Sequence, residues 1–351
     1  MEEEFDFINW LIENGATVSE KIQFHYFEEG RGIAAIEDIE QDEDLFFIPY
    51  DCCIFGDTTT VNDNDAINWI PLMIKIYKEL HSDGYQPYLR ILPQVDCPMV
   101  WNEDEQKLME LISPIGLEDA QLQFQKLNEF VDCSLEDFHY IGCLIMAYSF
   151  TFTDIVMIPM ADMLNHHTAN NAQLYEIEGG FVMKAITPIQ AQTQVFNTYG
   201  TYANPDLLLK YGFVELDNPN DAIWLDGYFG LGLFPYDDEI EEELEDVEEE
   251  QELENFNGLE DFLEDSDVEK ERRLSIDLEA ATEMKDELEE ENPRVAVLEY
   301  VDTLDYILAF EEPNPRIGKL QYVAQCHKAI LMGWLEAENT TPEDNSLLMQ
   351  Q

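Results

Sequence analysis

Apolar residues recur at helical spacing in Phe5, Ile8, Leu11 and Ile12, and Asn14-Gly15 ends the run, so a short amphipathic helix is expected first. The period then changes to two. Ile22, Phe24 and Tyr26 alternate with Gln23 and His25, Ile33 to Ile36 makes a second run and Leu45 to Pro49 a third, which predicts three strands. Between the first two lies Glu29-Gly30-Arg31-Gly32, a turn whose glycines let backbone approach a neighbour closely. As a local signal it does not differ from an ordinary hairpin, and it is not the GxGxxG of dinucleotide folds.

Helical spacing returns in Ala66 to Leu80, closed by His81 to Gly84, and continues through Glu105 to Ile112, Gln121 to Val131 and Ser134 to Phe150. Ser134 is placed to cap the last of these, with Asp137 in its first turn. Strands resume at Val156 to Met160, Gln173 to Glu178 and Phe181 to Ile186, with Gly179-Gly180 as a two-residue hairpin signal. The helices thus read as an insertion into a β-rich domain. After Pro188 comes VFNTYGTYANPDLLLKYGFVE, residues 195 to 215. Val195 and Phe196 end a strand, Asn204 caps a helix whose first residue is Pro205, and Gly212 stops it. Two further helical stripes, Val295 to Leu308 and Leu320 to Trp334, are joined by a loop containing Pro313 and Pro315.

The chain has 351 residues, 45% of them hydrophobic, enough to build a substantial core. Its formal charge of -60 argues against a nucleic-acid backbone as direct partner and for a basic protein or peptide. Part of that charge is concentrated. Residues Asp237 to Asp267 hold 18 acids and no base, leaving -42 elsewhere, and are expected to be a disordered loop, either a docking segment or a plain spacer. The six cysteines show neither zinc-ligand pairing nor a disulfide framework, and the chain opens MEEE without a signal peptide, so an intracellular, reducing setting is expected. No stretch reads as a membrane span.

Candidate chemistry is concentrated in two places. Tyr199 and Tyr211 stand at a strand end and a helix end, but taken alone that stretch favours two ordinary half-buried tyrosines. Asn165-His166-His167 follows a strand. Adjacent histidines on an extended chain face opposite ways and no cysteine or acid completes a set, so metal binding is not expected, and capping of a turn by Asn165 and His166 accounts for them equally.

Four stretches in order change that balance: EEGRGIAA (28 to 35), YLRILP (88 to 93), IPMADMLNHH (158 to 167) and NTYGTYANPDLLLKYGFVE (197 to 215). Together they resemble the SET-domain protein-lysine methyltransferases of the Rubisco large-subunit methyltransferase class. MAYSF at Met146 to Phe150 is most similar to the branch holding fungal ribosomal lysine methyltransferase 4 and animal SET domain-containing protein 6. The resemblance covers about the first two-thirds of the chain.

What the resemblance implies is an α+β protein. Residues 1–224 would form a β-rich SET fold of small sheets with a pseudo-knot, carrying a helical insertion at about 52–153. An acidic segment, 225–292, and a short helical module, 293–351, would follow. It implies S-adenosylmethionine as cofactor, leaving as S-adenosylhomocysteine. Glu29, Gly30 and Arg31 would present backbone groups to it, Asn165 would hold its amino-acid part, His166 would meet the adenine through backbone atoms, and Tyr211 would pack against cofactor or channel. Tyr199 would be the catalytic residue at the end of the lysine channel, with Leu164, Tyr199 and Tyr211 contacting substrate. The implied substrate is a lysine on a basic protein, foremost a large-subunit ribosomal protein, then a histone or transcription factor, and the implied setting is a monomer in nucleus or cytoplasm, the nucleus favoured. A non-catalytic acidic binding protein on the same fold is the competing reading. Two departures stand out: Met146 lies where the class carries an arginine near the cofactor, and the C-terminal module is short.

Overall fold

The computed structural model describes residues 2–27, 30–56, 69–113, 117–224, 230–232, 293–310 and 314–338. Glu29 and, apart from 230–232, the expected acidic segment lie outside these residues. In chain order the strands are β1 (Thr17–Val18), β2 (Ile22–Phe27), β3 (Gly30–Ala35), β4 (Asp44–Pro49), β5 (Ile54–Phe55), β6 (Ser149–Thr151), β7 (Ile155–Met157), β8 (Asn165–His166), β9 (Ala172–Ile177), β10 (Gly180–Ala185), β11 (Gln194–Asn197), β12 (Ala222–Trp224) and β13 (Gly230–Gly232). The helices are α1 (Glu2–Glu13), α2 (Ile70–Leu80), α3 (Gln86–Leu89), α4 (Glu103–Glu110), α5 (Leu117–Leu127), α6 (Leu135–Tyr148), α7 (Asn204–Tyr211), α8 (Pro293–Leu308) and α9 (Pro315–Glu338).

The described residues fall into two compact units, one within Met1–Asp96 and Gly116–Thr201, the other within Cys97–Ile115, Tyr202–Glu249 and Ser266–Gln351. Residues 202–224 therefore group with the C-terminal helices, whereas the sequence expectation set its boundary at 224.

In the first unit, three small sheets replace one large one: β1-β4-β10-β9, β2-β3-β11-β8 and β5-β7-β6. Strand β10 lies between β4 and β9 and is almost wholly buried, with Phe181, Val182 and Met183 in the core beside Phe46 and Ile48 of β4. The hairpin turn is Glu178-Gly179, one residue earlier than the glycine pair suggests, because Gly180 already pairs with Ile177. A side chain at Gly180 would begin 2.2 Å from the Ile48 carbonyl oxygen, so this glycine serves strand packing, and Gly179, at φ +88, serves the turn.

The helices α2, α5 and α6 pack together between β5 and β6. Ser134 does cap α6, its Oγ accepting from the Asp137 amide at 3.1 Å. The short α3 sets Tyr88 under α1, with the Tyr88 and Phe7 rings stacked 6.0 Å apart.

In the second unit, α8 and α9 bury Leu304, Ile307, Leu320, Val323 and Leu331. Helix α4 begins at Glu103, two residues before the apolar pattern, because Asn102 and Glu105 close a capping box. Buried Glu105 also accepts from Asn314 Nδ2 at 2.6 Å and Arg316 Nη1 at 2.7 Å. Asn204 does not cap α7. The cap position is Ala203, and fully buried Asn204 instead exchanges hydrogen bonds with the Glu215 backbone and donates to both carboxylate oxygens of Asp221. Gly212 ends α7 in the left-handed conformation, as expected.

Candidate functional site

The site is assembled where β11 enters the sheet between β3 and β8. On one side β11 runs antiparallel to β3, pairing Val195 with Ile33, and on the other parallel to β8, pairing Phe196 with Asn165 and Asn197 with His166. One short strand thereby joins the glycine-rich segment, the Asn-His segment and the tyrosine that follows it. Asn171 fastens this strand from outside, accepting from the Phe196 amide at 2.8 Å and donating to the Gln194 carbonyl at 2.9 Å.

Gly32 is the point of closest approach. A Cβ there would lie 2.3 Å from Gln194 Oε1 and 2.8 Å from Asn165 Nδ2. Those two atoms are themselves hydrogen-bonded at 2.8 Å, which turns the Asn165 oxygen to the other side as an acceptor. Gly30 has φ +132, and among the described residues beyond its chain neighbours nothing lies within 4 Å of where a side chain would start. An acceptor amide beside exposed backbone of this kind fits the ammonium of the S-adenosylmethionine amino-acid part. Gln194, which fixes that amide, was not singled out in the sequence because a polar residue at a strand start reads as surface.

Tyr199 follows directly. Its backbone amide donates to His166 Nδ1 at 3.0 Å and its hydroxyl donates to the Leu164 carbonyl at 2.9 Å, with the His166 and Tyr199 rings 5.2 Å apart. His166 is buried, and its Nδ1 is used to hold Tyr199. Burial, and then the charge of Asp162, push the Tyr199 hydroxyl above its ordinary pKa. It is a neutral phenol throughout the physiological range and cannot act as a base.

The Leu164 carbonyl is presented by a strained turn. Met160 adopts φ 74 and ψ -40, a rare conformation for a residue with a side chain, and the chain then makes a 3-10 turn over Ala161–Met163. Two contacts pin the turn. Arg31 donates through Nη1 to the Ile91 carbonyl at 2.6 Å and through Nη2 to Met163 Sδ at 2.9 Å, and its guanidinium lies over the Phe24 ring. Asp162 accepts a short hydrogen bond from the Tyr88 hydroxyl. Burial raises the Asp162 carboxyl to about 7 against the opposing effects of Tyr88 and Arg31.

Gly30, Arg31, Leu164, Asn165, His166 and Tyr199 are thus brought together within the first unit. Tyr211 belongs to the second, where its ring lies 6.2 Å from Tyr202 and 6.1 Å from Phe213. Among the described residues no cluster of three or more His, Cys, Asp or Glu is arranged to hold a metal ion.

A β11 strand held between a glycine-rich strand and an Asn-His strand, with a half-buried tyrosine at its exit, defines the SET class of fold. Residues 30–200 match the SET domain family. It is similar to N-lysine methyltransferase SETD6 of Homo sapiens, 30% identical over 239 residues that cover 55% of this chain and 50% of the human protein. The SETD6 protein of Danio rerio is 29% identical over 263 residues, covering 60% of this chain and 56% of its own. The matched region spans about half the length of these curated relatives. Among solved structures, Rubisco LSMT bound to AdoMet superposes with a TM-score of 0.65 at 19% identity, covering 96% of this chain and 92% of that one. The SET domain of LSMT bound to lysine and AdoHcy gives 0.60 at 17%, covering 95% and 90%. These structures share the fold.

Proposed function

We propose that this chain is an S-adenosylmethionine-dependent protein-lysine N-methyltransferase. The observation that carries the reading is the half-buried Tyr199 hydroxyl, committed to the Leu164 carbonyl where β8 and β11 run side by side. Bound S-adenosylmethionine supplies a methyl group made electrophilic by its positively charged sulfur. Asn165 Oδ1 and the backbone at Gly30 and Arg31 would hold it. The Tyr199 oxygen and the Leu164 carbonyl would orient the incoming amine, which must be neutral to attack. Loss of water around the lysine in an apolar, aromatic setting lowers the pKa of its ammonium, and no residue here need take the proton directly.

The substrate class follows from charge. A chain at -60 attracts lysine-rich surfaces, and the likeness to ribosomal lysine methyltransferases makes large-subunit ribosomal proteins the first candidates, ahead of histones. The test is transfer of labelled methyl from S-adenosylmethionine to purified ribosomal proteins and core histones by wild type and Tyr199→Phe. Loss of one preorganised hydroxyl is expected to slow transfer by about 100-fold while calorimetric binding of S-adenosylmethionine is kept. Equal transfer by both proteins would remove Tyr199 from the mechanism. No transfer and no cofactor binding by wild type would favour the acidic binding protein instead.

A further inference from the structure

Behind Tyr199 lies a carboxyl group that the methyl-transfer scheme does not use. Asp162 is 7% exposed, sits two residues before the carbonyl that receives the Tyr199 hydroxyl, and is bonded to Tyr88, which is completely buried on another element. An ionisable side chain in such a place is costly unless its surroundings require it. The turn that carries it is also strained at Met160, and strain of this kind persists only where the surrounding contacts hold it. Those contacts are the Tyr88–Asp162 and Arg31–Met163 bonds, one on each of two successive residues of the turn.

We propose that Asp162, held by Tyr88, is a positioning residue for methyl transfer: it fixes the turn that aims the Leu164 carbonyl at the Tyr199 hydroxyl, and its charge acts on that hydroxyl. This rests on the role proposed above for Tyr199. The charged and titratable groups facing Asp162 are Tyr88 from α3, Arg31 from β3, Tyr148 from the end of α6, Tyr199 beyond β11 and Cys53 beside β5. Of these only Arg31 is cationic, and its donors at Nη1 and Nη2 point to Ile91 and Met163. The carboxylate is held by the Tyr88 phenol, by the guanidinium at a distance and by the backbone amides of Met160 and Asp162 itself. Burial places its ionisation near neutrality, within the range where an enzyme of this kind works. When Asp162 is ionised, Tyr88 donates to it and the turn is fastened. When it takes up a proton, that acceptor is weakened and the hold on Leu164 loosens.

The experiment uses the full chain labelled with 13Cζ-tyrosine, with the Tyr199 resonance assigned by its loss in Tyr199→Phe. Between about pH 5 and about pH 9 the wild-type Tyr199 signal is expected to shift with a midpoint near neutrality, far below the titration of a phenol itself. Asp162→Asn abolishes that shift. Tyr88→Phe, a milder change that keeps the ring packed on Phe7, moves the midpoint to higher pH because the carboxylate loses its donor. With labelled S-adenosylmethionine and purified large-subunit ribosomal proteins, Tyr88→Phe is expected to lower kcat by about tenfold and leave KM for S-adenosylmethionine within about twofold. A flat wild-type Tyr199 signal, or the same titration in Asp162→Asn, overturns the proposal. An unchanged midpoint in Tyr88→Phe overturns it too, should Asp162→Asn fail to fold. Absence of transfer by wild type overturns the methyltransferase reading, while the resonance still decides whether Asp162 acts on Tyr199.

Discussion

Gly32 is a residue whose importance lies in what it lacks. Its backbone angles suit any amino acid, so Gly32→Ala does not strain the chain, but the new methyl group would displace Gln194 Oε1 and Asn165 Nδ2. Both are the far ends of side chains that can rotate away, which keeps the cost to folding at about 1 kcal/mol, the low end of overpacking. The Asn165 amide, however, would lose its fixed orientation. Calorimetry is expected to show S-adenosylmethionine affinity reduced about tenfold in Gly32→Ala, with a denaturation midpoint close to wild type. A large fall in stability with unchanged affinity would make Gly32 a packing residue only. At this scale Asn165, His166 and Tyr199 were legible because they belong to ordered motifs. Asp162 and Tyr88 were not, since one acid within IPMADML gives no hint of a partner in YLRILP. Only the contact between the two segments reveals the pair.

Among the elements, the apolar period located helices and strands well, and the errors came from side chains with two possible uses. Asn204 has the right chemistry for a cap, but Asp221 and the Glu215 backbone compete for the same amide within the second unit. Gly180 has the right chemistry for a turn, but the crowding at Ile48 claims it for the strand. Helix α9 holds a comparable surprise in His327, which is 3% exposed and meets Tyr300 of α8 through Nδ1 at 3.0 Å, while its Nε2 has no partner among the described residues. Burial lowers its pKa from 6.5 to about 4. The unfolded chain then takes up a proton on this side chain below about pH 6.5 that the folded chain refuses until about pH 4. The stabilising contribution is complete above the upper value and is lost as pH falls through the window, by about 3 kcal/mol in all. Asp162 tilts the other way, because its folded pKa is raised: its contribution is present at low pH and fades as pH rises towards about 7. Denaturant titrations should therefore compare His327→Phe with wild type at each pH. The difference is expected to shift in favour of the variant on going from about pH 7 to about pH 4.5, and a pH-independent difference would show that His327 takes up its proton equally in the folded and unfolded states.

For the molecule as a whole, charge and connectivity are the governing facts. The net -60 is divided between a concentrated run, Asp237 to Asp267, and -42 spread over the rest, so the field reaching a basic partner does not depend on that run alone. Deleting 237–267 is expected to slow capture of a lysine-rich protein several-fold at low salt. The difference should shrink at physiological ionic strength, where screening acts over about 8 Å. Stopped-flow association rates measured across salt would check this, and identical slopes for the two proteins would reduce the run to a spacer. Connectivity has a different consequence. Strand β11 pairs with β3, from the start of the first unit, and with β8, and Tyr199 comes immediately after it. These are contacts of large sequence separation, whose loop-closure cost must be met before they stabilise anything, and such pairings form slowly. A chain emerging from the ribosome can therefore fold its early hairpin and its helices while it has no catalytic centre at all. The proposed site can be complete only once β11 has left the exit tunnel and docked, so methyl transfer by a nascent chain is expected only after that point.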